Sequence, residues 1–246
     1  MEWYELYDVA ERYIELLNPC SREKVIEAGD VLGLGPHTRL IDFGCGTGEP
    51  LAMWAEQFGV IGVGIEFRPR AAAKARLKMI EKGLTKQIEI VEGKGADYQF
   101  EKHAFDIASC MGASFIWHGY PQAIRAMKEA IKPNGKILIG EPYWIKEPHV
   151  PDDLCRDEKF YYEHELLDMA RTEGFTFEYM IRSSEEEWAR YNAANWRGLT
   201  AWLKENPRHP DYDQVRGWLD KEQDTYLRWL REYIGWALYI LTPLPR

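Results

Sequence analysis

The apolar positions change their period along the chain, and the changes outline helices alternating with strands. Over residues 3–17, Tyr4, Leu6, Tyr7, Tyr13, Ile14 and Leu17 recur at helical spacing, and Asn18 with Pro19 stops the run. Ser21 is placed to cap a second helix, with Lys24 three residues on and Val25, Ile26 and Ala28 behind it. The period then shortens to strands. Arg39–Phe43 runs into a glycine-rich turn and a helix over Leu51–Phe58; Val60–Ile65 follows, then a helix over 69–82. Ile88–Val91, Phe105–Ser109 and Lys136–Ile139 are further strands, the last entered from helix 121–131 through the turn 132–135. Strands that alternate with helices in this way form βαβ units, and so a parallel sheet covered on both faces.

Beyond residue 140 the pattern predicts a helix over Glu163–Glu173, ended by Gly174, and a strand over Phe175–Ile181. Residues 183–235 read as helical and aromatic, interrupted at Pro207 and Pro210, before a last strand at Trp236–Leu241. An insertion of roughly 50 residues is too long for an idle loop, so it is expected to be a helical subdomain. The predicted units are N-terminal helices (1–35), a core (36–182), the aromatic insertion (183–235) and a final strand with its tail (236–246).

The segment Leu40–Gly48 carries the chemistry. Gly44, Gly46 and Gly48 alternate between a strand tip and a helix, so a ligand can approach the backbone without Cβ atoms in the way. Glu49 stands where a dinucleotide fingerprint would need a glycine, which disfavours a nicotinamide oxidoreductase. Asp42 precedes the first glycine by two residues; it suits an ammonium or the dipole of the following helix, but not a pyrophosphate. Glu66, at the tip of the next strand, suits the two hydroxyls of a ribose.

These residues resemble the class I S-adenosylmethionine-dependent methyltransferases. The glycine motif matches Asp42–Gly48, the ribose acid matches Glu66, and the entry to the fifth strand matches the run Ile131 to Gly135. The resemblance covers about residues 36–182. It implies an α/β, Rossmann-like seven-stranded sheet of order 3-2-1-4-5-7-6 with the last strand antiparallel, and the insertion between strands 6 and 7. It also implies S-adenosylmethionine as cofactor and S-adenosylhomocysteine as product, with Phe67, Ala96 and Met111 beside the cofactor. An acid after strand three usually meets the adenine amino group. The simplest register places Lys94 there, and Asp97 three residues later is assigned the contact.

Open sheets of this kind bind ligands off the carboxyl ends of their strands. Strands four and five deliver Trp117, His118, Tyr120, Glu141 and Tyr143 to that edge, and these are expected to line one acceptor pocket. His118 is the candidate general base, against the alternative of a structural histidine; Glu141 is either a second base or a brace for backbone amides. Trp117, Tyr143 and Trp144 read as pocket wall, and Tyr120 as either wall or chemistry on the substrate side. Six of the ten tryptophans lie at or beyond Trp188, so the insertion is either a packed core or, through rings such as Trp196, a lid.

Charge narrows the acceptor. The chain holds 31 basic and 40 acidic residues, a formal charge of −9, which argues against nucleic acid and anionic lipid. With no Asn/Asp-Pro-Pro-Tyr/Phe motif after strand four, a small molecule is the expected acceptor. Cys20, Cys45, Cys110 and Cys155 show no paired spacing, so no metal site is expected and thiolate-assisted metalloid methylation is a minor alternative. A non-catalytic cofactor-binding sensor is the other. No apolar run approaches the ~18 residues of a membrane span and residues 1–15 do not resemble a signal peptide, so a cytoplasmic protein is expected.

Overall fold

The computed structural model describes residues 1–147 and 160–244. At its centre, β3 (Ile88–Glu92), β2 (Ile61–Glu66), β1 (Arg39–Phe43), β4 (Phe105–Met111) and β5 (Ile131–Trp144) lie side by side and parallel. β8 (Ile234–Pro243) inserts antiparallel between β5 and β7 (Phe175–Arg182), giving the order 3-2-1-4-5-8-7. This is the expected sheet, with the numbering advanced by one short strand. That strand, β6 (Tyr161–Tyr162), pairs with Tyr143 and Trp144, where β5 outruns its partner β4.

The central strands are apolar on both faces because both faces are covered. On one, Leu40 and Leu238 pack with Val25 of α2 (Arg22–Leu32), Trp54 of α3 (Glu49–Phe58) and Met79 of α4 (Pro69–Glu81). On the other, Ile41, Ile139 and Tyr239 pack with Met127 of α5 (Tyr120–Ala130) and Leu166 of α6 (Glu163–Thr172). A third cluster lies apart from the sheet. Val9 and Ala10 of α1 (Trp3–Ala10) meet Leu199 and Leu203 of α7 (Glu185–Glu205), with Val215 and Leu219 of α8 (Tyr212–Thr225). The two helices cross at Gly198, where any Cβ would run into the Ala10 carbonyl oxygen. A π-helical turn, Tyr226–Leu230, and the short α9 (Arg231–Tyr233) lead into β8.

Three local predictions need correction. The helix expected over 3–17 ends at Ala10, passes through a 3-10 turn at Glu11–Tyr13, leaves it extended at Ile14 and continues through bends to residue 20. Tertiary anchors override its periodicity: the Glu15 carbonyl accepts from Thr47 Oγ1 at 2.7 Å, and the Asn18 amide donates to the Met111 carbonyl at 2.8 Å. Residues 132–135 are not a separate turn but an irregularity inside β5, whose register jumps between Phe105↔Ile131 and Ile107↔Lys136. The last strand starts at Ile234 and runs to Pro243. Among the described residues no helix is long and apolar enough to cross a membrane.

Candidate functional site

β1 and β2 end side by side, with Phe43 opposite Ile65, and the chain must turn sharply out of β1. Gly44, Gly46 and Gly48 make that turn at φ of +74°, +55° and +69°, a region where side chains are strained. A Cβ on Gly44 would lie 2.6 Å from that of Ala113, and one on Gly46 would lie 2.8 Å from Leu17. The amides of Gly44 and Cys45 both donate to the Ile65 carbonyl, at 2.8 and 3.0 Å, which folds the turn onto the tip of β2.

The Gly46 amide points elsewhere. It donates to Glu66 Oε2 at 2.8 Å, while the Arg68 amide donates to Oε1 at 2.8 Å. Glu66 is buried, and each carboxylate oxygen keeps a lone pair for a further donor. Asp42 is buried beside it and accepts from the Ser109 hydroxyl at 2.6 Å. Burial pushes the Asp42 carboxyl up to about 7, against the pull of the Ser109 bond and with added repulsion from Glu66. Two buried acids at one turn favour a ligand with positive charge and hydroxyl donors. Glu49, at the start of α3, is not part of this pair. Burial acts to raise its carboxyl, but the hydrogen bonds and charges of Lys78 and Arg22 prevail and hold it below the usual range.

Asp42, Gly44, Gly46, Glu66, Phe67 and Met111 all line one cavity, with Ala113, Phe115 and Ile116 from the segment after β4. Its opposite wall comes from the N-terminal segment, through Trp3, Tyr7, Glu11, Glu15, Leu17 and Asn18, and from Tyr191 of α7. Gly48 sits beneath the floor, where Ala75 and Met79 of α4 pack against it. Ala96 and Asp97 lie exposed on a 3-10 turn, Gly95–Asp97, off the cavity wall, and Lys94 beside them is exposed too.

The expected acceptor set does not assemble on this cavity. His118 closes the 3-10 turn Ser114–Trp117 in the left-handed conformation, at φ +64°, and is exposed. Trp117 packs edge-on to Phe43 at 4.9 Å. Glu141 and Tyr143 stand two and four residues beyond Ile139 along β5, so they share its face of the sheet, toward α5 and α6. Tyr143 lies there under the Arg182 guanidinium, 5.7 Å from its ring centre. Tyr120 is buried in the same layer, and burial, then the Glu141 charge, raises its hydroxyl far above the ordinary range. From the insertion, Trp196 stands edge-on to Tyr226 at 5.7 Å, and Tyr191 reaches the cavity instead.

The N-terminal wall and Arg68 were missed at the level of sequence. A signal was present: Trp3, Tyr7 and Glu11 recur every four residues, forming a helical stripe too polar for a core. Burial raises the thiols of Cys45 and Cys110 well above their usual range and that of Cys20 to about 12, which disfavours thiolate ligands. Cys155 lies outside the described residues. Among the described residues no three His, Cys, Asp or Glu side chains group to hold a metal.

The comparisons agree with this geometry. Residues 40–135 match the profile of a methyltransferase domain. The chain is 30% identical to the uncharacterized protein YjhP of Escherichia coli K12, over 98% of this chain and 99% of that one. It is 32% identical to a SAM-dependent methyltransferase from Geobacter sulfurreducens crystallised with S-adenosyl-L-homocysteine, covering 98% of both chains with a TM-score of 0.90. A SAM-dependent methyltransferase from Thiobacillus denitrificans, crystallised with the same molecule, is 30% identical over 99% of this chain and all of its own, with a TM-score of 0.91.

Proposed function

The chain belongs to the class I S-adenosylmethionine-dependent methyltransferases, and we propose that it methylates a small molecule held between the glycine turn and the N-terminal segment. The pairing of Asp42 and Glu66 around a turn of left-handed glycines carries this reading. S-adenosylmethionine, when bound, supplies an activated methyl group on a sulfonium and becomes S-adenosylhomocysteine as the methyl passes to the acceptor. Glu66 accepts from the ribose hydroxyls, its carboxylate being held in orientation by the Gly46 and Arg68 amides, one on each oxygen. Asp42 answers the positive charge of the amino-acid end, and Gly44 and Gly46 admit it to the backbone. On the exposed turn after β3, outside the cavity lining itself, Asp97 suits the adenine amino group better than Lys94, since a carboxylate accepts from an amine and an ammonium does not.

Acceptor binding falls to Tyr7, Phe115, Ile116 and Tyr191, which line the same cavity. Alignment is the main source of rate, for which about 7–11 kcal/mol is available when reacting atoms are held in line. His118, exposed on its turn, has no role as a base in this reading.

Two measurements test the proposal. Calorimetry should show Glu66→Ala weakening S-adenosylhomocysteine by about 1.5–3 kcal/mol, the range for hydrogen bonds to a charged group; unchanged affinity would displace the ribose from Glu66. Release of S-adenosylhomocysteine should then be followed across a panel of small amines, phenols, carboxylates and thiols. Tight cofactor binding with no release above the acceptor-free rate for any fraction of a cell's small molecules would favour a sensor over an enzyme.

A further inference from the structure

Arg68 occupies the cavity wall between the floor and the N-terminal segment, and it is buried. Its Nη1 donates to Glu11 Oε2 at 2.6 Å and lies 3.7 Å from Asp8 Oδ1. Its Nε lies 3.5 Å from Glu66 Oε1, the oxygen that already accepts the Arg68 amide. One guanidinium therefore serves three carboxylates. Two of them belong to the N-terminal segment and the third to the floor. Burial raises both Asp8 and Glu11 above the ordinary range, and the Arg68 charge acts against that rise at each.

The planar fork of an arginine can hold two acids at once but is drawn toward the nearer and better aligned. With Glu11 in place the closer bond is to the N-terminal segment, and Glu66 keeps lone pairs free. Without Glu11, the N-terminal segment keeps only the longer Asp8 contact, at 3.7 Å, to oppose a shift of the guanidinium onto Glu66, where it would compete with any hydroxyl donor. We infer that Arg68 is a positioning residue: it couples the seating of the N-terminal segment to the readiness of Glu66 to accept the ribose. This rests on the reading that Glu66 binds the cofactor ribose.

The experiment is a double-mutant cycle on the full chain, with S-adenosylhomocysteine binding followed by stopped flow and calorimetry. Glu11→Gln keeps the shape and removes the charge. It should weaken binding about tenfold, mostly through faster dissociation, as expected for one charge-assisted hydrogen bond. In a Glu66→Ala background the same change should have less than a twofold effect, because the residue it acts through is gone. Equal losses in both backgrounds, or no loss in the parent, overturn the coupling. If Glu11→Gln does not fold, Glu11→Asp retracts the charge by one methylene and reads the same cycle. Failure of the parent to bind, or of Glu66→Ala to weaken binding, instead falls on the cofactor reading itself.

Discussion

The floor of the cavity, from Phe43 to Arg68, is built by backbone, whereas its N-terminal wall is built by side chains from segments far apart in sequence. On the floor, four amides (Gly44, Cys45, Gly46 and Arg68) are committed within one turn and the strand tip beside it. On the wall, Trp3, Tyr7 and Glu11 depend on α1 resting against α7, and on the Arg68 ion pairs. A floor made of peptide groups tolerates little change in shape but much in neighbouring side chains. A wall made of side chains can be altered residue by residue while the fold stays intact. The family relationship follows the first region; under the proposed function, the choice of acceptor follows the second.

Substitutions can break or sharpen this contrast. Gly44→Val should cost most: about 1–3 kcal/mol for left-handed strain and about 1–3 kcal/mol for overpacking against Ala113. A melting temperature lowered by at least about 4 °C, with S-adenosylhomocysteine binding lost, is expected. Binding that survives would mean the floor is not limited by its backbone.

Asp42→Asn comes next and acts through pH. Native Asp42 titrates near 7 and an unfolded aspartate near 4, so between these values the native chain holds the extra proton. Its contribution to the stability of the ligand-free chain is full below about pH 4 and is lost as pH rises through about 7. The asparagine variant lacks that slope. Denaturant titrations should find it more stable than the parent by about 2–4 kcal/mol at pH 8 and nearly equal at pH 4; parallel pH profiles would refute the raised carboxyl.

Gly198→Ala tests the wall alone. Its new Cβ meets the Ala10 carbonyl, so α1 should be pushed off α7 at about 1–2 kcal/mol, confined to that contact. Amide exchange should quicken over residues 3–18 and stay slow in β1 and β4; uniform acceleration would show the wall and floor to be one cooperative unit. The smallest effect is expected for His118→Ala, with turnover changed less than about threefold, whereas a general base would cost about 10²–10⁴.

How much could be read in advance follows the same division. The glycine turn was legible because chirality and Cβ clashes are local, and Asp42 and Glu66 stand at strand ends within 24 residues of each other. The strand order came with the family resemblance. The N-terminal wall was hidden because Tyr13, Ile14 and Leu17 keep a helical period even though the chain leaves the helix at Ala10. What decides their path is Thr47 and Met111, which bind the backbone of Glu15 and the side chain of Asn18 from far away. The acceptor set misled for a related reason. Alternation along β5 shows that Glu141 and Tyr143 share a face, but not which layer covers it. β6 was invisible, since two residues carry no period and exist as a strand only by pairing with Tyr143 and Trp144.

The crossing of α1 on α7 also has a consequence in time. Val9 and Ala10 leave the ribosome about 190 residues before their partners Leu199 and Leu203. At about 5–20 residues per second, that interval is on the order of 10–40 seconds. Throughout it Val9 and Ala10 lack their α7 partners, while β1, β2 and the glycine turn between them can already close and Phe67 can take up Trp3 and Tyr4. The nascent chain thus passes through a stage in which the floor can form while Val9 and Ala10 lack the α7 surface that covers them, the stage at which chaperone contact or aggregation would begin.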